Sequence, residues 1–189
     1  MSRLKLLIVG PNKSGKSTIA NILGDLQDGP SAIYRPTIGC RIVDFERDPP
    51  PGVTNFGKIH LELWDASGDF KYEKCWAPIQ KDAHGIIFVY DPANPGAEDI
   101  LNQLVQLFPK AMMLQPKFCM VIINHHNVGG AGAQLPKHTI PNCMNGLHRH
   151  EGTAEDTQGI FGGFEKYLMK ILKLLGEMQE QDENRIMNL

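Results

Sequence analysis

The stretch that decides the fold runs from residue 10 to residue 17 and reads Gly10-Pro11-Asn12-Lys13-Ser14-Gly15-Lys16-Ser17. It follows the pattern G-x-x-x-x-G-K-[ST]. The apolar segment 4–9 before it predicts a buried strand, and residues 16–27 predict an amphipathic helix. A glycine loop between a strand and a helix turns backbone N–H groups and the positive helix N-terminus toward phosphate oxygens. The alternative, a glycine turn with a chance lysine, explains neither flank, so we interpret residues 10–17 as a phosphate loop. Lys16 then reaches the β- and γ-phosphates and Ser17 binds Mg²⁺.

The composition is that of one soluble globular domain. The chain has 189 residues, of which 42% are hydrophobic and 21% charged, and its net charge is −2. This balance gives no basic excess for nucleic acid or an anionic membrane. The cysteines lack C-x-x-C spacing, which argues against a disulfide framework or a zinc ribbon. No apolar run approaches the ~20 residues of a membrane span, and Ser2 and the cysteine-free C-terminus match no common lipidation signal. We therefore expect no direct membrane anchor.

Segments with strand character alternate with segments of helical periodicity, which predicts an α/β fold. The expected strands are 4–9, 40–45, 58–64, 85–90, 118–123 and 143–148, and the expected helices are 16–27, 97–108 and 155–177. Strands 40–45 and 58–64 alternate cleanly and should pair as an antiparallel hairpin, whereas the apolar runs predict parallel strands. The expectation is a mostly parallel sheet with helices on both faces over residues 1–177, followed by a polar tail at 178–189 that frays and is dispensable for nucleotide binding.

A second magnesium anchor is expected after a later strand. Asp65 ends the strand in Trp64-Asp65-Ala66-Ser67-Gly68, where its carboxylate can hold a magnesium-bound water. The Gly68 amide can meet the γ-phosphate. An aspartate that merely begins a turn is the alternative, but the distance from the phosphate loop favours the binding role.

The three segments 10–17, 35–39 (Arg35-Pro36-Thr37-Ile38-Gly39) and 63–69 resemble, in order and spacing, the nucleotide motifs of Ras-superfamily small GTPases. Their residues, above all Pro-Thr-Ile-Gly and Trp-Asp, are most similar to those of the Rab branch. The resemblance covers about residues 4–175 and implies a P-loop NTPase small G-domain that binds GTP or GDP with Mg²⁺. It makes 28–40 and 65–78 the first and second switches. The implied nucleotide contacts are Gly10, Pro11, Asn12, Lys13, Ser14, Gly15, Lys16, Ser17, Thr18, Tyr34, Thr37, Gly68, Asn124, His125, Asn127 and Arg149, and the implied metal ligands are Ser17, Thr37 and, through water, Asp65.

The base-recognition motif departs from that family. Where the family has Asn-Lys-x-Asp, this chain reads Asn124-His125-His126-Asn127. The Asn127 amide can accept one guanine N–H but presents its own N–H₂ to the other, so guanine selectivity should weaken. His125 is expected to stack on the base in place of the lysine stem. The family's Ser-Ala-Lys motif is absent, and His148-Arg149-His150 lies near its expected place.

Hydrolysis is also expected to be slow. Asp69 occupies the slot where efficient members carry the glutamine that orients the attacking water, and its charge opposes the γ-phosphate. Asn12 occupies a slot where good hydrolysers carry glycine. No residue is therefore assigned as catalytic, and the chain is expected to be at most a slow GTPase.

A more specific resemblance rests on Trp64-Asp65-x-x-Gly68-Asp69, Lys71, Glu73, Cys75-Trp76-x-Pro78 and Lys81-Asp82-Ala83-His84-Gly85. These residues are similar to the Rab-like small GTPases of intraflagellar transport, which also lack the standard base motif and a lipidated tail. The resemblance implies a nucleotide-loaded binding module that joins coiled-coil subunits of the intraflagellar transport B complex, in the cytoplasm and in the cilium or flagellum and its base. Phe70, Tyr72 and Trp76 are candidate partner contacts, with local packing as the alternative.

Three other functions stay open at this point. They are a cycling GTPase, a scaffold that holds nucleotide only for stability, and a P-loop kinase or ATPase, which the two-switch arrangement disfavours. Five of the seven histidines lie between residues 125 and 150. Their irregular spacing favours solvent-exposed loop histidines over a zinc site with Cys143, so no metal beyond Mg²⁺ is expected.

Overall fold

The architecture is a six-stranded sheet with the strand order β2-β3-β1-β4-β5-β6. The computed structural model describes residues 3–31, 33–53, 56–126, 128 and 134–187. Strands β2 and β3 pair antiparallel, and the other neighbours pair parallel. The strands are β1 (Arg3–Val9), β2 (Cys40–Arg47), β3 (Ile59–Ala66), β4 (Gly85–Tyr90), β5 (Cys119–Asn124) and β6 (His148–Gly152), and the α-helices are α1 (Lys16–Leu23), α2 (Trp76–Gln80), α3 (Ala97–Ala111) and α4 (Thr157–Met187). The predicted sheet with one antiparallel strand is confirmed.

Helices cover both faces of this sheet because successive side chains of a strand point to opposite faces. On β1, Leu6 and Ile8 join the core that α1 and α4 close. Leu7 and Val9 join the core that α2 and α3 close. The central strands are buried on both faces, which explains why β1, β4 and β5 read as continuous apolar runs.

Two predicted boundaries shift by several residues. Helix α1 ends at Leu23 because Gly24 follows and Asp25 takes a left-handed φ of 54°. Strand β6 lies at His148–Gly152, whereas residues 142–144 form a turn of 3₁₀ helix. The β6 side chains are polar and carry little hydrophobic pattern, so the pairing with β5 decides its register and not the local sequence.

The end of the last helix also differs from the prediction. Helix α4 continues without interruption to Met187, whereas the sequence predicts fraying after residue 177. The segment after Gly176 contains neither glycine nor proline and is rich in residues with high helix propensity. Residues 188 and 189 lie outside the described part of the chain. Among the described helices, none combines the length and apolar character that crossing a bilayer requires.

Candidate nucleotide site

The phosphate loop connects β1 to α1 at the carboxyl edge of the sheet, as the sequence predicts. Gly15 takes a left-handed φ of 93°, and a Cβ there would lie 2.4 Å from the Asn124 amide nitrogen. A side chain is therefore excluded on both grounds. No side chain caps the N-terminus of α1. The first N–H groups of this helix thus remain available for an anion.

Lys16 is the buried cation of the site. Lys16 is only 6% exposed, and its ammonium donates to the Pro11 carbonyl at 2.7 Å. Burial lowers the pKa of Lys16 to about 8, against the opposing effect of Asp65. A lysine with one carbonyl partner and a depressed pKa gains strongly from a phosphate oxygen, because a negative neighbour favours its charged form.

The three predicted metal ligands come together from separate parts of the chain. The hydroxyls of Ser17 and Thr37 lie 2.7 Å apart, and Thr37 donates to Asp65 Oδ2 at 3.3 Å. Asp65 is fully buried, and its Oδ1 has no hydrogen-bond partner within the described residues. Two hydroxyls and a carboxylate form the all-oxygen donor set that Mg²⁺ requires. The arrangement therefore fits Mg²⁺, which when bound neutralises phosphate charge.

Arg41 on β2 belongs to this cluster, although the sequence reading treats it only as a strand residue. Its Nη2 lies 3.3 Å from Asp65 Oδ2 and donates to the Ser17 carbonyl at 3.2 Å. Its Nη1 donates to Asn21 at 2.7 Å. Arg41 and Asp65 are directly paired in the β2–β3 register, so the register of the predicted hairpin is the signal that identifies it. Its guanidinium partly compensates the buried Asp65 charge.

The second switch begins in contact with the phosphate loop. A Cβ on Gly68 would lie 2.4 Å from the Gly10 carbonyl oxygen and 2.8 Å from the Asn12 nitrogen. Glycine is therefore required here by close approach of two backbones. Asn94, which the sequence reading did not identify, donates to the Asn12 carbonyl at 2.8 Å from the loop after β4.

Asp69 is engaged by Lys71. Its carboxylate accepts from the Lys71 backbone N–H at 3.0 Å and lies 2.8 Å from the Lys71 ammonium. These hydrogen bonds, the side-chain one first, hold the pKa of Asp69 below its ordinary value. Asp69 thereby caps the 3₁₀ helix at Phe70–Cys75. The sequence predicts slow hydrolysis from the repulsion between Asp69 and the γ-phosphate. The structure adds a second reason, because the Asp69 carboxylate is already hydrogen-bonded at the start of the 3₁₀ helix.

At the base end, Asn124 ties three loops together. Its amide donates to the Ser14 carbonyl at 3.0 Å, and its oxygen accepts from the Ala154 N–H at 2.9 Å. This bond connects the segment after β6, and not His148-Arg149-His150, to Asn124. Arg149 lies inside β6 opposite Val121, and its contact with a nucleotide stays a prediction.

His125 does not lie where the sequence predicts, whereas His126 is exposed, as expected for a loop histidine. His125 is only 2% exposed, and its Nε2 lies 3.0 Å from Glu151 Oε1. Stacking of His125 on a base is therefore wrong for this arrangement, and so is a solvent-exposed location. His126 lies beside the phosphate loop instead, with its Nδ1 2.8 Å from Asp91 Oδ2. Asn127 lies outside the described residues.

The aromatic residues of the second switch mostly pack locally. The ring of the buried Trp76 lies 5.2 Å from that of Phe70 and 4.9 Å from that of Phe108. This favours local packing over partner contact for Trp76. Tyr72 is partly exposed. Several of the exposed large apolar side chains lie close together in sequence, in and just after the first switch, which the sequence reading did not single out as a contact surface: Ile33, Tyr34, Ile38 and Ile42.

Comparison with known proteins agrees with this geometry. Residues 5–127 match the family described as "Ras of Complex, Roc, domain of DAPkinase". An "Intraflagellar transport protein 22 homolog" from Danio rerio is 32% identical over 187 residues, which cover 98% of this chain and 99% of that protein. The chain belongs to the intraflagellar transport protein 22 family. The Homo sapiens homolog is 34% identical over 191 residues, covering 99% of this chain and all of that protein.

A solved structure supports the fold of this family member. The structure is described as "T. brucei IFT22/74/81 GTP-bound crystal structure". It is 24% identical, has a TM-score of 0.68, and covers 92% of this chain and 99% of its own. This structure confirms the small G-domain fold, and the curated relatives confirm the resemblance to the small GTPases of intraflagellar transport.

Proposed function

We propose that this chain is a guanine-nucleotide-binding module of intraflagellar transport whose triphosphate form presents a surface to other subunits of the B complex. The observation that carries this proposal is the convergence of Ser17, Thr37 and Asp65. Thr37 belongs to the first switch, and it contacts both the phosphate loop and the end of β3. A nucleotide and Mg²⁺ bound here would hold the first switch through Thr37.

The surface that this ordering would present lies in and just after the first switch. Ile33, Ile38 and Ile42 are exposed there, and exposed apolar side chains that form a patch are typical of partner contacts. The relatives carry the name of an intraflagellar transport protein, and the T. brucei structure contains IFT22 with components named 74 and 81. These names support equivalent subunits, which we take to be coiled coils, as the partners in the cilium or flagellum.

Slow hydrolysis completes the proposal. The slot after Gly68 holds Asp69, whose carboxylate is bound to Lys71. A carboxylate can accept a hydrogen bond from water but cannot also donate to the γ-phosphate. The triphosphate form should therefore persist, and the chain would serve as an assembly component more than as a timer.

The test measures binding to the equivalents of subunits 74 and 81 from the same species with GTP, with GDP and without nucleotide. The GTP form should bind at least about tenfold tighter, and Thr37→Ala should remove the difference. Ser31→Ala is the matched control, since Ser31 lies in the same loop and its hydroxyl accepts from the Ile33 N–H at 3.3 Å, away from the Ser17–Thr37–Asp65 cluster. Equal binding in all three states would contradict the proposal and favour the scaffold. Several turnovers per minute in a hydrolysis assay would favour the cycling GTPase.

A further inference from the structure

Behind the base-recognition segment, three side chains from separate parts of the chain point at one another. They are His125 after β5, His138 in the loop before β6, and Glu151 in β6. One potential ligand atom from each lies within 4.8 Å of the other two. His125 Nε2 is 3.0 Å and His138 Nδ1 is 3.5 Å from the same Glu151 oxygen, Oε1.

Two of the three separations are close to those in the ligand shell of a small tetrahedral cation. Zinc bonds of about 2.0–2.1 Å at tetrahedral angles put neighbouring ligand atoms about 3.3–3.4 Å apart. The distances of 3.0 and 3.5 Å lie on either side of that value. The two imidazole rings meet edge to face with their centroids 5.3 Å apart, so both can turn a nitrogen toward a common point.

His138 is the least satisfied of the three side chains. His125 Nε2 lies at full hydrogen-bond distance from Glu151 Oε1, 3.0 Å, whereas His138 Nδ1 is 3.5 Å from the same oxygen. Nδ1 is therefore the nitrogen of His138 that a metal ion would bond, and Nε2 would carry the ring proton. Burial is also graded: the side chains are 2%, 13% and 31% exposed for His125, His138 and Glu151. The site is thus open on the Glu151 side, where an ion can enter.

We propose that His125, His138 and Glu151 form a binding site for a divalent transition-metal ion, with Zn²⁺ as the best match. Two imidazoles and one carboxylate favour zinc over Mg²⁺, which prefers oxygen ligands alone. Three protein ligands leave a fourth position for water. The absence of a short, regular ligand spacing explains why the sequence predicts no such site.

This site would join the loop around residue 138 to the edge that faces the base. The His125 N–H donates to the Gly152 carbonyl at 2.9 Å, and Glu151 directly precedes the strand end that leads to Ala154. A bound ion would therefore fix β5 and β6 relative to each other where Asn124 holds Ala154. The proposal is independent of nucleotide hydrolysis and of partner binding.

The test titrates Zn²⁺ into the full chain after chelator treatment, with excess Mg²⁺ to occupy oxygen-only sites. Calorimetry should show one Zn²⁺ per chain. His138→Ala and Glu151→Gln should each weaken Zn²⁺ binding at least about tenfold, in line with the loss of one ligand. His60→Gln is the matched control, because His60 also pairs with a carboxylate, at 2.9 Å from Asp44, but as an exposed two-residue contact. Its Zn²⁺ affinity should equal that of the unaltered chain.

Amide hydrogen exchange provides a second readout at the site itself. Zn²⁺ should slow exchange at the His125 N–H in the unaltered chain and leave it unchanged in His138→Ala, which changes only a loop side chain. The absence of Zn²⁺ binding, or equal binding in the unaltered chain and in His138→Ala, would overturn the proposal. Loss of binding in His60→Gln would place the ion elsewhere and overturn it as well.

Discussion

The phosphate end and the base end of the nucleotide site were both predicted from the resemblance to small GTPases. The structure agrees with that prediction more closely at the phosphate end than at the base end. At the phosphate end, Ser17, Thr37 and Asp65 meet as the motifs predict. At the base end, Asn124 keeps its linking position, but His125 turns into the protein toward Glu151. The predicted geometry is thus found at the end of the site where the charge of the ligand is greatest.

This difference has a physical reason. Phosphate oxygens are held by backbone N–H groups, one lysine and a metal ion, and their charge makes each contact strong. Selecting guanine needs a carboxylate that accepts two N–H groups at once, and the chain has Asn127 in that place. The comparison therefore predicts affinity that comes from the phosphates, with weak discrimination between bases.

The largest effect is expected from Lys16→Ala. It removes the buried ammonium that faces the phosphates, and each charge-assisted hydrogen bond contributes about 1.5–3 kcal/mol, or about 10- to 150-fold in affinity. Equilibrium binding of a fluorescent GTP analogue measures this loss. Lys58→Ala is the control, since Lys58 pairs with Glu46 on the exposed surface. Unchanged binding in Lys16→Ala would show that the phosphate loop does not hold the nucleotide.

At the base end, Asn127→Asp should raise the preference for GTP over ATP by about tenfold, the effect of about one additional charge-assisted hydrogen bond. Competition binding of the two nucleotides measures the ratio. The preference for GTP over XTP should rise as well. A ratio that does not change would mean that other groups read the base.

Hydrolysis offers a smaller effect at the phosphate end. The double variant Asp69→Gln with Asn12→Gly should raise the single-turnover rate severalfold above a parent rate of no more than ~10⁻⁴ s⁻¹. The glutamine can donate and accept, and it no longer forms the ion pair with Lys71. Lys71→Ala alone is the control, because it removes the ammonium that pairs with Asp69 but keeps the backbone N–H cap and leaves a carboxylate in the slot. An equal increase in Lys71→Ala would assign the effect to the loss of that ion pair.

The smallest effect concerns pH. With a pKa of about 8 in the nucleotide-free protein, Lys16 loses its proton as the pH rises through 8. Since phosphate contact requires the charged form, affinity should fall about fourfold from pH 7 to 8.5. In the nucleotide-free protein the same group makes stability rise with pH between about 8 and the ordinary lysine pKa of 10.5, because the unfolded chain then holds more protons. Lys16→Arg should flatten both profiles, and an unaltered profile in that variant would assign the titration elsewhere.

The sequence predicted the parts of the molecule in which local pattern and long-range structure agree. The apolar run of β1 predicts a buried strand, and the glycines of the phosphate loop predict a tight turn, without reference to distant residues. His125 and Arg41 could not be placed in this way, because their positions depend on Glu151 and Asp65, which are distant in sequence. Strand β6 was misplaced for the same reason, since its polar residues take their register from β5.

The most direct test of the account is competition between GTP and ATP for the unaltered chain at saturating Mg²⁺. The account predicts submicromolar-to-micromolar binding of both nucleotides, with dissociation constants that differ by about tenfold or less, equivalent to about 1.4 kcal/mol. A preference for GTP of about a thousandfold or more would contradict it. That result would show that the base end recognises guanine through contacts other than a carboxylate at residue 127.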